Sequence, residues 1–303
     1  MSRQPVAVIG APSSAGARRG GQEDGPGALR AAGFVSSLRE HGLDVIDHGA
    51  LPRIEFRPDP ENPKAQNADL VCRVARDVAA WVAAASGGGA LPVVLGGDCS
   101  ITLGVVAGLV GQGSRLGLLY LDGDLDLNTP DTTPSGAFDG MVTAHLLGRG
   151  HAELARLGPR QPLLEESQLA FFGYNESAGG IDPPELAVLA ESAALRYSVE
   201  AILEDPLASA RQALAALESR VERILVHFDL DVTDTPAVDV VHTGGLSLDT
   251  AASVLELFLA SPRCAGLVFT EFNPHLDVSG TLARRLADRL AEALAAAPSP
   301  AVD

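Results

Sequence analysis

Basic residues, paired cysteines and long apolar runs are all scarce in this chain. Lysine and arginine together number 22 against 39 aspartates and glutamates, a formal net charge of −17 at pH 7. A field of that sign repels phosphate backbones and anionic lipid, which argues against nucleic acid and against a membrane surface as partners. The three cysteines, Cys72, Cys99 and Cys264, lie far apart with no CxxC pair. That leaves no disulfide framework and fits a reducing compartment. The opening stretch MSRQPVAVIGAPSSAG has neither the basic nor the long apolar region of a secretory signal. No apolar run approaches the roughly 20 residues of a membrane span. A cytoplasmic location is the expectation.

What is present is enough apolar matter for a full core: 46% of 303 residues are hydrophobic. One large α/β domain over residues 1–303 is expected, with a frayed tail at about 297–303. Nearly continuous apolar runs read as strands buried on both faces: VAVIG (6–10), LPVVLGG (91–97), LGLLYLD (116–122), LAFFGY (169–174), ILVHFDLD (224–231) and AGLVFTEF (265–272). Stretches with helical apolar spacing lie between them, such as DGPGALRAAGFVSSLREHG and ADLVCRVARDVAAWVAAAS. This rhythm predicts a three-layer α/β/α fold with a mainly parallel sheet. Polar clusters close four of the strands: GGDCS, DGDLD, DLDVTD and TEFNPH. Carboxyl ends of strands are where open α/β sheets place their ligands.

Two of those clusters carry alternating aspartates: Asp122, Asp124 and Asp126, then Asp229 and Asp231. Any one of them can be read as a turn or cap residue. Five converging carboxylates would repel one another and raise their own pKa values, and divalent metal removes that penalty. Two ions sharing bridging carboxylates can also make a hydroxide nucleophile. The DxDxD run lacks the Gly and Glu that an EF-hand loop needs later. GGQEDGPG lacks the GK[ST] of a phosphate loop.

These residues together resemble the arginase (ureohydrolase) family, and its arginase branch in particular. VAVIGAPSSAGARRGGQEDGPGALRAAGFVSSLREHGLDVIDHG is similar to an arginase start; GGDCS, DGDLDLNTPDTTPSG, HFDLDVTD and TEFNPHLD resemble the family's later motifs, in register over about 280 residues. The resemblance implies a site for two manganese ions and a hydroxide that attacks the carbon of a guanidinium or related amidine. Carried over by position, it places Cys99, Asp122, Asp126 and Asp229 on the first metal. Asp122 and Asp229 bridge to the second, which Asp124 and Asp231 complete. Glu271 would hold the guanidinium, Asn128 and Ser135 the substrate's α-carboxylate. Glu176 or Ala178 stands near the position that reads the α-amino group.

The departures are specific. Cys99 and Asp124 stand where the family has metal-binding histidines, and Asp139 where it has a proton-shuttling histidine. Five aspartates and a thiolate would exceed the charge of two divalent ions by two, making them weaker Lewis acids. A soft sulfur ligand also shifts preference toward zinc, iron or cobalt. Cys99 resembles in addition the Nω-hydroxyarginine hydrolases, which likewise lack the shuttle histidine; an N-hydroxyguanidine is less basic and needs less help from acid. The expected function is therefore hydrolysis of the C–N bond of a guanidino or other amidine amino acid, a modified arginine rather than arginine itself. Formimino or agmatine-like substrates are rivals, as is a degenerate relative with weak metal binding and no catalysis; an oligomer of like chains is possible. Asp139, His242 or His275 could carry the proton in place of the missing shuttle, although a structural role is the commoner reading for each histidine. His227 is expected to point away from Asp229's side or into the helical layer, and His145 to be structural.

Overall fold

The computed structural model describes residues 4–177 and 181–296. Among the described residues eight strands form one sheet: β1 (Val6–Ala11), β2 (Val45–Ala50), β3 (Leu91–Gly96), β4 (Leu116–Leu121), β5 (Leu169–Phe172), β6 (Leu195–Tyr197), β7 (Arg223–Asp229) and β8 (Cys264–Thr270). Their order is β2-β1-β3-β8-β7-β4-β5-β6, and every pairing is parallel. The six strands expected from apolar runs are all present. The two that were not expected, β2 and β6, are the sheet's edges. Each is short or half-solvated, with burial patterns that mix intermediate and exposed positions, so neither makes an apolar run.

Helices cover both faces. Leu29 of α1 (Gly25–Ala31), Phe34 of α2 (Phe34–Glu40), Leu217 of α8 (Pro206–Glu218), Leu255 of α9 (Leu248–Leu259) and Leu286 of α10 (Thr281–Ala296) pack on one side. Val78 of α3 (Ala68–Gly87), Leu103 of α4 (Ile101–Val110), Val142 of α5 (Val142–Leu146) and Leu189 of α6 (Pro183–Glu191) pack on the other. Leu29, Phe34, Leu103 and Leu286 are all fully buried, each worth about 1.5–3 kcal/mol of apolar transfer. The stretch read as one helix over 24–42 is two, because Gly33 takes a left-handed φ of 98° between them. Likewise AILEDPLASARQALAALESR (201–220), whose apolar spacing also predicts one helix, divides into α7 (Val199–Ile202) and α8, with Pro206 opening the second under the Asp205 cap. All ten residues of α4 are buried, so it has no polar face to give it helical periodicity.

The arrangement decides where the chemistry can lie. β3, β8, β7 and β4 are consecutive in the middle of the sheet. They are the same four strands that end in polar clusters, so one carboxyl edge gathers Cys99, Glu271, the 229–231 pair and the 122–126 run. The tail at 297–303 lies outside the described residues. Among the described residues no helix is long and apolar enough to cross a membrane.

Candidate metal centre

β3 runs into the turn Gly97–Ser100, which opens α4. Gly97 is required there: a Cβ would lie 1.8 Å from the Ser13 carbonyl oxygen. The turn aims the Cys99 side chain across the edge. Its Sγ donates to Asp229 Oδ2 at 2.5 Å and to Thr270 Oγ1 at 3.3 Å. Burial, then the neighbouring Asp229 and Glu271, push the thiol well above its usual value. Without an ion, Cys99 is therefore a neutral thiol. Asp98 beside it is buried and accepts from the Gly16 and Ser100 amides at 3.0 and 2.9 Å, and burial raises it to about 6.

β4 ends at Leu121, and the three acids diverge from there. Asp122 Oδ1 accepts from the Asp124 amide at 2.7 Å. Asp126 sits at a left-handed φ of 52°, and its carboxylate accepts from the Tyr120 hydroxyl. Backbone of this kind at a non-glycine costs of order 1–3 kcal/mol and is held by its surroundings. β7 ends in Asp229, whose Oδ1 accepts from the Asp231 amide at 2.8 Å; Asp231 Oδ1 accepts in turn from the Gly123 amide at 3.0 Å. The two acidic turns are thus stitched together through main-chain N–H groups. Burial, reinforced by their mutual repulsion, raises Asp122, Asp126 and Asp229 well above the carboxylate range.

Two histidines join this group. The expectation that His227 points away from Asp229's side is wrong, because residues two apart on a strand share a face and His227 and Asp229 are two apart on β7; the alternative, that it points into the helical layer, fits its contact with Thr102 of α4. Register pairs His227 with Tyr120, and their rings stack at 4.2 Å. His227 Nδ1 meets Thr102 Oγ1 at 3.0 Å, and Nε2 lies 3.3 Å from Asp122 Oδ2 and 3.9 Å from both Asp229 Oδ2 and Cys99 Sγ. Burial lowers its pKa to about 3, so the ring is neutral. His242 arrives from the loop that follows β7. Its Nε2 stands 3.4 Å from Asp124 Oδ2 and 3.5 Å from Asp231 Oδ2. Burial favours the neutral ring, but the two carboxylates outweigh it and lift His242 to about 11.

The donors form two groups. In one, an atom each from Cys99, Asp122, His227 and Asp229 lies within 4.8 Å of the others; in the second, Asp124, Asp231 and His242 do the same. Asp126 lines the same cleft, with its carboxylate turned onto Tyr120. Asp124 Oδ1 and His242 Nε2 are buried and make no hydrogen bond. Mixed N, O and S donors that close together, with orphaned atoms among them, fit divalent transition metal.

Glu271 follows β8 at a left-handed φ of 65°. Its oxygens accept from the Cys99 amide at 3.0 Å and Gln22 Nε2 at 2.9 Å. Asp139 lines the cleft with Arg18; burial raises it to about 7 although Arg18 pulls it down. Asn128 Nδ2 donates to Asp182 at 3.0 Å, and Ser135 Oγ accepts from the Ala137 amide at 3.2 Å. Glu176 is exposed, and Ala178 lies outside the described residues. His275 is exposed and paired with Asp24 at 2.9 Å. His145 is buried, bonded to the Met141 carbonyl and the His151 amide at 2.7 and 2.9 Å, as a structural histidine should be. Asp98, Thr102 and Gln22 support the site without having been singled out in the sequence. The only local signal for them is that Asp98 and Thr102 lie within three residues of Cys99 and Gln22 sits in the glycine-rich GGQEDGPG.

The pattern described as "Arginase family" matches residues 4–296. The chain is 30% identical to the arginase of Bacillus caldovelox over 282 residues, 90% of this chain and 92% of that one. It is 31% identical to arginase-1 of Rattus norvegicus over 283 residues, 90% and 86% respectively. The solved structure of the Bacillus caldovelox arginase superposes with a TM-score of 0.86 at 26% identity, covering 96% of this chain and 98% of that one.

Proposed function

Since the chain belongs to the arginase family, whose members are hydrolases of amidine C–N bonds, we propose that it cleaves that bond in a guanidino or other linear amidine amino acid. We favour a modified arginine such as Nω-hydroxyarginine over arginine itself. The observation that supports this best is the pairing of two metal-competent donor groups with the Glu271 carboxylate, which lines the cleft beside them. Two divalent ions held there by Cys99, Asp122, Asp124, Asp126, Asp229 and Asp231 would supply Lewis acidity and an activated water.

The chain's own residues have the remaining tasks. Glu271 is fixed by the Cys99 amide and Gln22, and its carboxylate holds the amidine nitrogens by charge-assisted hydrogen bonds. Asn128 and Ser135 hold the α-carboxylate. Glu176, exposed beyond β5, meets the α-amino group. Asp139 gives the proton to the leaving nitrogen: a carboxyl raised to about 7 is matched to that work near neutral pH. His275 is paired with Asp24, and His242 Nε2 faces the Asp124 and Asp231 carboxylates without a hydrogen bond to either.

The substrate preference follows from charge. Cys99 and Asp124 add two negative charges relative to two neutral imidazoles, which weakens the ions as Lewis acids. A substrate that is less basic tolerates that loss. Intact supports for Glu271 weigh against a decayed, non-catalytic relative, which has no use for them.

The test is an assay of the manganese- or zinc-loaded protein with arginine and with Nω-hydroxyarginine, reading urea and hydroxyurea. The hydroxylated substrate should give the higher kcat/KM. The double substitution Cys99→His with Asp124→His should raise arginine hydrolysis. Faster turnover of arginine by the unsubstituted protein would reject the preference, and no turnover of any amidine would reject the function.

A further inference from the structure

Asp124 is a carboxylate where the family resemblance implies a nitrogen ligand, and an imidazole from elsewhere in the chain faces it. His242 belongs to the loop 233–246, more than a hundred residues away from Asp124. Its ring is 1% exposed. Nε2 approaches Asp124 Oδ2 at 3.4 Å and Asp231 Oδ2 at 3.5 Å, yet meets neither in hydrogen-bonding geometry. Asp124 Oδ1, also buried, is likewise unpartnered.

Those spacings discriminate between two explanations. An imidazolium locked between carboxylates forms charge-assisted hydrogen bonds of about 2.7–2.9 Å. Ligands around a tetrahedral ion sit on edges about 1.63 times the metal–ligand distance. For bonds of about 2.0–2.2 Å that edge is about 3.3–3.6 Å. The observed 3.4 and 3.5 Å fall in the second range.

The ring also occupies a space made for it. A Cβ at Gly123 would lie 2.4 Å from His242 Cδ2 and 2.9 Å from Nε2, so only glycine between Asp122 and Asp124 admits the imidazole. The Gly123 amide meanwhile fixes Asp231 through its Oδ1 at 3.0 Å, leaving Oδ2 toward His242.

We propose that His242 Nε2 is a ligand of the second metal ion, completing with Asp124 and Asp231 a site whose nitrogen has moved from the strand end to the following loop. The inference rests on the two-metal reading above. The ion it suits is a divalent first-row transition metal that accepts mixed nitrogen and oxygen donors, zinc or cobalt as readily as manganese.

Zinc titration of the metal-stripped full chain tests it, by calorimetry and by 15N NMR of histidine-labelled protein. Two ions per chain are expected for the unsubstituted protein. The second equivalent should give one imidazole nitrogen the large shift of metal ligation. His242→Gln should keep one ion, hold the second about 100-fold or more weakly, and lack that shifted resonance. Should His242→Gln fail to fold, the unsubstituted spectrum still decides. A second ion that binds without moving any histidine nitrogen overturns the proposal, as does equal second-site affinity in His242→Gln. Either result leaves the two-metal reading standing. Failure of the unsubstituted chain to take up any zinc rejects that reading and this proposal together.

Discussion

The two donor groups are neighbours built on different principles. The inner one, Cys99, Asp122, His227 and Asp229, is fully buried and sits at or just beyond strand ends. Each of its side chains has a partner within the protein, from Thr270 to Thr102. The outer one, Asp124, Asp231 and His242, depends on loop segments, and two of its polar atoms have no partner. A group satisfied by its own protein can persist without an ion. A group with orphaned buried atoms carries a desolvation cost that an ion would remove. Metal dependence should therefore be strongest in the outer group, while the inner group shapes the scaffold.

Removing metal altogether tests both groups at once and should have the largest effect. Exhaustive chelation is expected to lower amidine hydrolysis by at least about a thousandfold, at or beyond the limit of a single lost electrostatic contact. Readdition of manganese or zinc should restore it, followed by steady-state product assay.

Gly123→Ala separates the groups. The new methyl collides with His242 and must displace it. Second-ion affinity should fall by about 10–100-fold with the first ion retained, read by elemental analysis after dialysis. Overpacking should cost about 1–3 kcal/mol of stability, visible in denaturant unfolding. Thr102→Val addresses the inner group instead. It removes the partner of His227 Nδ1, leaving a buried nitrogen unpaired at about 1–3 kcal/mol. First-ion affinity should drop about tenfold while the second is unchanged. If Thr102→Val weakens the second ion as much as the first, the two groups are not separable and the contrast fails.

The inner group was more legible in the sequence than the outer one, for the same structural reason. Buried parallel strands are apolar runs that end abruptly in polar residues, so β3, β4, β7 and β8 announce themselves and so do Cys99, Asp122 and Asp229. The edge strands β2 and β6 carry no such run. The alternation that exposed the aspartates also places His227 on Asp229's face, a consequence of period two that the apolar setting of VHFD disguises. His242 is different in kind: no local pattern in DVVHTGG ties it to Asp124, since their proximity is created by the path of a loop. Glycine between two acids in DGDLD is the one trace it leaves.

The smallest expected effect is on stability against pH, and it distinguishes a site with ions from one without. Asp98 is raised to about 6, and Asp139 and Glu185 to about 7; Asp122, Asp126, Asp229 and Glu271 are likewise raised well above their usual values. Burial is the main cause in every case. A carboxyl of this kind holds a proton in the folded chain that the unfolded chain gives up near pH 4. Its stabilising contribution is complete below that value and is lost as pH rises toward the folded pKa. His227 at about 3 and His145 at about 4 act in the opposite sense, costing stability as pH falls below about 6.5, but they are two groups against seven. The metal-free protein should therefore show a falling Tm between about pH 5 and pH 8 in scanning calorimetry. Divalent metal favours the ionised carboxylates, so loading it should flatten or reverse that slope. Gly123→Ala, with its first ion in place and its second weakened, should fall between the two curves. A metal-free slope that rises across this interval would mean that these carboxyls are already ionised in the folded chain, and the repulsion assigned to the inner group would have to be relieved by the protein alone.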